Sequence, residues 1–261
     1  MGSREATSGR SVRRSAYAEP MDFLLAVWAR ISEQNAGLPL AATWWTLLAA
    51  GAIVTLPVTW RVARHAVTIA HEGGHGLAAT LSGRTLTGIR LHSDTSGLTV
   101  SRGRPTGPGM IFTLVAGYTA PALLGLGSAA LFGAGYGVGM LWALLAALAV
   151  LLVQIRNWFG LWSVAVTGCI IFVVTWFGSN AVQSIFALFV VAFLVIGAIR
   201  AAIELQVTRS RRRATGSDAD QLARLTHLPG LFWVGVFLAV NLGCAVLAAQ
   251  FLGLWCVAGS A

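Results

Sequence analysis

A succession of long apolar segments constrains the fold of this chain more than any other feature of its sequence. Seven segments reach or approach the roughly 20 residues that a helix needs to cross the hydrocarbon core of a bilayer. They lie at residues 38–60, 65–82, 107–133, 136–156, 158–178, 181–203 and 229–256. The sequence therefore predicts an all-α polytopic membrane protein with about seven membrane helices.

The composition excludes an ordinary water-soluble domain and argues against a nucleic-acid binder. Charged residues are 10% of the 261, whereas roughly a quarter is typical of soluble domains. All 18 basic residues are arginines, and they lie between the apolar segments instead of forming the clustered basic surface that phosphate binding requires. The use of arginine without lysine indicates a GC-rich, bacterial coding sequence. We expect a multi-pass protein of the bacterial cytoplasmic (inner) membrane.

The distribution of arginines predicts the orientation of the chain in the membrane. Arginine favours the cytoplasmic side, and with a cytoplasmic N-terminus every arginine except Arg61 and Arg64 falls in a cytoplasmic region. This assignment treats 65–82 as a crossing. The arginine-rich stretch within the polar region 206–228 is expected to lie against anionic lipid headgroups.

Three regions follow from these patterns. Residues 1–37 form a basic cytoplasmic tail that includes an amphipathic, interfacial helix at 21–34. Residues 38–256 form the membrane domain, which contains a cytoplasmic loop at 204–228. Residues 257–261 form a C-terminal tail.

One segment breaks the helical pattern. Residues 85–102 contain two runs of β-forming residues, 86–92 and 97–101, on either side of turn-forming residues at 93–96. The sequence therefore predicts a β-hairpin directly after the second apolar segment. Because an open sheet edge cannot face lipid, we expect this hairpin at the membrane interface or in a protein-lined cavity.

The second apolar segment carries three ionisable residues within five positions. They form the sequence His71-Glu72-Gly73-Gly74-His75, an H-E-x-x-H motif. On a helix, residues four apart project from the same face, so both imidazoles can reach one metal ion. Imidazole nitrogens are common ligands of Zn²⁺, and Glu72 can accept a proton from water and pass it to a leaving amine. The pattern predicts a zinc-dependent hydrolytic site with Glu72 as general base.

Two alternatives stay open at this motif. The histidines could be helix-packing residues with Glu72 paired to one of them, although three ionisable groups in an apolar helix are costly without a metal ion or water. The glycines Gly73, Gly74 and Gly76 could make room for a substrate, or they could allow another helix to pack closely.

The H-E-x-x-H motif on a membrane helix, followed by a predicted hairpin and further apolar segments, resembles the site-2 protease family of intramembrane zinc metallopeptidases. Ser217-Asp218-Ala219, which precedes the last apolar segment, is similar to a segment of the bacterial B-like branch of that family. The resemblance implies that residues 38–256 are a membrane metalloprotease domain. It also implies that the substrates are transmembrane proteins, which such enzymes often cleave to release regulators.

The third metal ligand is less clearly marked than the two histidines. Better-known members of the family carry an aspartate ligand in an Asp-Gly setting, and this chain contains no Asp-Gly pair. We nominate Asp218 as the third zinc ligand, with Asp220 and His227 as alternatives. A competing interpretation is that Ser217 caps a helix whose first turn contains both aspartates, without any metal.

A second class of function also stays open. The missing Asp-Gly pair, and intramembrane ionisable residues of the kind that transporters use, are compatible with a non-catalytic membrane scaffold or a transporter. No oligomeric state follows from the sequence.

Overall fold

The computed structural model describes residue 25 and residues 27–34, 37–211 and 216–254. Most of the predicted basic tail and the predicted C-terminal tail at 257–261 lie outside these residues, as do Arg212 and Arg213. Within the predicted interfacial helix at 21–34, residues 27–32 are helical.

From residue 40 onward, the described part of the chain forms eight helices and two strands. The helices are α1 (Leu40–Thr55), α2 (Pro57–Leu81), α3 (Pro108–Gly133), α4 (Gly137–Gln154), α5 (Trp158–Phe177), α6 (Asn180–Ser210), α7 (Asp218–Thr226) and α8 (Gly230–Phe251). The strands are β1 (Thr85–Leu91) and β2 (Gly97–Arg102). The protein is therefore mostly helical, as predicted, with one small sheet between α2 and α3.

The helices make the chain a multi-pass membrane protein. Among the described residues, five helices (α3, α4, α5, α6 and α8) are long and apolar enough to cross a membrane. Helices α1 and α2 are long and apolar enough to cross a membrane only when they are counted together as one span. The angle between them is 97°. The supported number is thus five or six, and the predicted seven is not confirmed. The physical reason is that α1 is short, with 16 residues, and α2 contains several charged and polar residues.

A group of polar contacts lies at the bend between α1 and α2. Glu204 of α6 accepts hydrogen bonds from the Trp60 indole (2.8 Å) and from Nε of Arg200 (2.9 Å), and Arg200 also donates to the Val54 carbonyl. Arg64 lies 3.6 Å from the same carboxylate. Arg64 and Glu204 therefore form an ion pair between α2 and α6.

Helices α2 and α3 pack closely through small residues. A side chain at Gly74 would overlap Ala120 and would lie 2.9 Å from the Ala116 carbonyl oxygen. Gly74 is therefore required for helix packing, which favours one of the two interpretations of the motif's glycines. Gly73 is less confined, since a Cβ there would meet only Leu151 at 3.6 Å.

The small sheet packs against α2. Strands β1 and β2 pair antiparallel, with Ile89 opposite Thr99. On its other side, β1 is held by Asn157, whose side chain accepts from the Leu91 amide (3.1 Å) and donates to the Leu91 carbonyl (2.6 Å). Ile89 is fully buried among residues of α2 and α5. These contacts place β2 next to the helix that carries the H-E-x-x-H motif.

The short helix α7 packs into an apolar cluster between α3, α6 and α8. Ala219 and Leu222 of α7 are fully buried there, next to Leu114, Ala202 and Phe237. The cluster therefore draws the loop after α6 back toward the membrane helices. This return of the chain brings residues far apart in sequence to the motif on α2.

Candidate metal centre

Two histidines one turn apart on α2 form the base of the candidate metal centre. The Nε2 atoms of His71 and His75 are 3.0 Å apart, and the two ring centroids are separated by 4.6 Å. The helical spacing predicted this convergence. Two nitrogen ligand atoms consequently face the same small volume.

Asp218, the first residue of α7, joins the two histidines. Its Oδ2 lies 3.3 Å from Nε2 of His71 and 3.2 Å from Nε2 of His75. Ligand atoms from the three residues all lie within 4.8 Å of one another, a spacing at which they could hold one metal ion. Burial alone raises the pKa of Asp218, but the adjacent imidazoles, His75 first, outweigh burial and hold that pKa well below its usual range.

The other two candidates for a third ligand lie elsewhere. The Asp220 carboxylate accepts hydrogen bonds from Arg209 and Ser217. His227 is exposed and forms the C-terminal cap of α7, with a φ of 60°. Burial alone would raise the pKa of Asp220, but hydrogen bonds from Arg209 and Ser217 reverse that effect and lower it. Ser217 does cap α7, as the competing interpretation supposed. Ser217 therefore caps α7 while the next residue, Asp218, contacts the two histidines.

A backbone carbonyl orients His75. The Nδ1 atom of His75 lies 2.7 Å from the Thr113 carbonyl oxygen. Because a carbonyl can only accept, Nδ1 must carry the hydrogen of this bond, which leaves Nε2 with a free lone pair in the neutral ring. A hydrogen bond of this kind fixes the tautomer and the ring orientation of a metal-binding histidine.

Aromatic packing orients His71. Tyr118 of α3 meets the His71 ring edge to face at 4.6 Å between centroids, and Tyr118 stacks on Phe237 of α8 at 5.2 Å. A third membrane helix therefore supports the imidazole indirectly. Neither Tyr118 nor Phe237 could be identified from the sequence as a partner of the motif, because both residues lie far from it along the chain.

The absence of a side chain at Gly117 makes room for both rings. A Cβ at this position of α3 would overlap the His75 ring and would lie 2.8 Å from Cε1 of His71. The glycine lets α3 approach the motif closely. Glycine is needed here because it has no side chain and not because of its backbone flexibility, since Gly117 lies within the helix α3.

Adding a methyl group at Gly117 is expected to destabilise the protein. Overpacking a tight site typically costs about 1–3 kcal/mol, so Gly117→Ala should lower the midpoint of thermal unfolding in detergent. Gly127→Ala on the same helix is the matched control, because a Cβ there meets nothing within 4 Å. This control should be neutral or slightly stabilising, since alanine is favoured over glycine in a helix by up to about 1 kcal/mol. Equal midpoints for the two variants would contradict the steric argument.

Glu72 lies beside the three-residue cluster and is held by β2. Its carboxylate accepts a hydrogen bond from the Thr99 hydroxyl at 2.6 Å, and the side chain is buried. Any side chain at Gly97 would overlap the Glu72 carboxyl group. Glu72 is not among the three converging ligand atoms. Its carboxylate is therefore available for a role other than binding a metal, and Thr99 and Gly97 define its position.

These observations define a class: a multi-pass membrane protein in which two histidines and an aspartate converge beside a buried glutamate and form a candidate metal centre. Residues 44–248 match the family model described as Peptidase M50B-like. Since the match covers most of the chain, the protein belongs to this family and is a membrane peptidase of the site-2 protease type, as the resemblance implied. No curated protein and no solved structure matches the chain.

Proposed function

We propose that the protein is a zinc-dependent intramembrane endopeptidase that hydrolyses peptide bonds of membrane-embedded protein substrates. The observation that carries this proposal is the convergence of His71, His75 and Asp218 to within 4.8 Å, next to Glu72, in a chain of a peptidase family. Two imidazoles and a carboxylate are a donor set suited to Zn²⁺, and three protein ligands leave one position open, as catalytic sites require.

Each residue has a distinct role in the proposed reaction. His71, His75 and Asp218 hold the metal, and Zn²⁺ bound there would polarise the scissile carbonyl and make water a better nucleophile. Glu72 accepts the proton of the attacking water and delivers it to the leaving amine nitrogen. Thr99 holds the carboxylate of Glu72 in place through a 2.6 Å hydrogen bond. The bond broken is the C–N bond of the substrate, and the new C–O bond belongs to the released carboxyl terminus.

The proposed setting is a bacterial cytoplasmic membrane, with the N-terminus on the cytoplasmic side. The substrates are transmembrane proteins, and their cleavage serves regulation, by extension from the resemblance. Arg209 and Arg211 at the end of α6 continue into an arginine-rich segment that we assign to the region of anionic headgroups. Nucleic acid is not a proposed partner.

The alternatives of a non-catalytic scaffold and a transporter receive less support. They were motivated by the missing Asp-Gly pair, which leaves a zinc site short of a carboxylate ligand. Asp218 brings a carboxylate oxygen to within 3.3 Å of both histidines from a different sequence setting. This contact supports a catalytic function over a non-catalytic one.

The metal requirement tests the proposed function directly. Detergent-purified protein is expected to contain about one zinc ion per chain by elemental analysis, because the donor set suits Zn²⁺. In membrane vesicles that contain the protein, chelation should stop the appearance of new protein termini, as measured by mass spectrometry. Added Zn²⁺ should restore cleavage, whereas Mg²⁺ should not, since Mg²⁺ prefers oxygen ligands. A protein without bound metal, or cleavage that is insensitive to chelation, would refute the proposal.

A further inference from the structure

We infer that Arg209 is a positioning residue for the candidate metal centre: by holding α7 through Asp220, it fixes the place of the Asp218 carboxylate. The inference rests on the proposed zinc site, and it concerns a residue that contacts none of the three proposed ligands. The ion pair between Arg209 and Asp220 thus has a function although neither residue is a proposed metal ligand.

Helix α7 cannot set its own orientation. It has nine residues, and helices of this length are marginal without tertiary contacts. The burial of Ala219 and Leu222 in the apolar cluster fixes one face of the helix. This burial decides which face of α7 points inward, but apolar contacts are not directional, so they restrain small rotations about the helix axis less than hydrogen bonds do.

The contacts of Arg209 supply a directional restraint. Its Nε and Nη2 atoms donate to Oδ1 of Asp220 at 2.9 and 2.7 Å, while Oδ2 of Asp220 accepts from the Ser217 hydroxyl at 2.8 Å. Arg209 also donates to the Gln206 side chain at 3.1 Å. Hydrogen bonds between charged groups are shorter, stronger and more directional than apolar contacts.

The guanidinium of Arg209 is also confined by α8. A Cβ at Gly230, the first residue of α8, would overlap this group and would lie 2.8 Å from its Cζ atom. The Arg209 side chain is only 16% exposed. One side chain at the end of α6 is therefore packed against α8 while it binds α7, so the three helix ends are tied together.

The helical geometry links this ion pair to the metal centre. Residues two apart on a helix differ by about 200° in direction, so Asp218 and Asp220 point to nearly opposite sides of α7. Asp220 meets Arg209 on one side, and Asp218 meets His71 and His75 on the other. A rotation of α7 that followed loss of the ion pair would carry Asp218 away from both histidines.

The test measures zinc affinity of the full-length protein in detergent, by competition with a chelator of known affinity. Arg209→Gln is expected to weaken zinc binding about 10–100-fold, the range typical of residues that orient metal ligands. Asp220→Asn removes the same ion pair from the other side and should give a similar loss. Arg224→Gln is the matched control, because it removes one exposed arginine from α7 itself and should bind zinc as the wild type does.

A double variant separates positioning of Asp218 from general loss of structure. If Arg209 acts through Asp218, then Arg209→Gln should have less than about a twofold effect on zinc affinity in an Asp218→Asn background, because residues coupled through one backbone segment are non-additive. An equal loss in both backgrounds, or wild-type affinity in Arg209→Gln and Asp220→Asn, would overturn the inference while leaving the zinc site intact. A wild-type protein that binds no zinc would instead overturn the proposed function, and this inference with it.

Discussion

Replacing Glu72 with glutamine is expected to abolish peptide-bond cleavage while the protein keeps its zinc. A general base contributes about 10²–10⁴-fold to a rate, and an amide cannot accept the proton that the carboxylate takes from water. Zinc should be retained because Glu72 is not among the converging ligand atoms. The fold should be retained because glutamine has nearly the same shape, fits against Gly97 and can still bond to the Thr99 hydroxyl.

The measurement for Glu72→Gln can be made before any substrate has been identified. Newly formed termini of membrane proteins can be compared by mass spectrometry between cells that express the wild type and cells that express the variant. Proteins that are cleaved only with the wild type are the substrates, and their uncleaved forms should accumulate with the variant. Glu33→Gln is the matched control, since it makes the same chemical change at an exposed position. Full cleavage by Glu72→Gln would exclude Glu72 as the general base.

Replacing His75 with alanine is expected to remove zinc from the protein. His75 is buried, its Nε2 faces His71 and Asp218, and its Nδ1 bonds to the Thr113 carbonyl. The variant loses one of three protein ligands, so the loss of affinity should exceed the 10–100-fold effect of changing an outer contact. Cleavage should fall with the zinc content, since both depend on the same site.

The control for His75→Ala is another histidine on the same helix. His65 packs against Phe159 with 5.4 Å between ring centroids and is not part of the three-residue cluster. His65→Ala should therefore keep about one zinc ion per chain, the content expected of the wild type. Elemental analysis of the two purified variants compares them directly. Equal zinc content in His75→Ala and the wild type would remove His75 from the proposed ligand set.

Local features of the fold and site could be predicted from the sequence because they depend on short-range periodicity. The apolar segments identified most of the helices, and two runs of β-forming residues indicated a small two-stranded sheet. His71 and His75 converge because they are four residues apart on one helix. The predicted count of seven membrane spans is not confirmed, because the sequence does not show that the chain bends by 97° between α1 and α2.

The sequence could nominate partners of the motif, such as Asp218, but it could not decide among them, because the choice depends on packing over long separations. Whether Asp218, Asp220 or His227 approached the histidines depended on how α7 packs and on which way it is rotated about its axis. Thr99 reaches Glu72 only in one strand register, since a shift of one residue would turn its side chain to the other face of the sheet. Tyr118 reaches His71 only because α3 packs closely against α2.

Hydropathy and helical periodicity are local properties, so they suffice to identify a polytopic membrane protein with two histidines and a glutamate on one helix. Which residues lie opposite that helix depends on tertiary packing. The burial of α7 and the ion pair of Arg209 with Asp220 bring Asp218 to the histidines, and the pairing of β2 with β1 brings Thr99 to Glu72. Contacts of this kind are set by the packing of whole elements against each other, which no spacing within the sequence specifies.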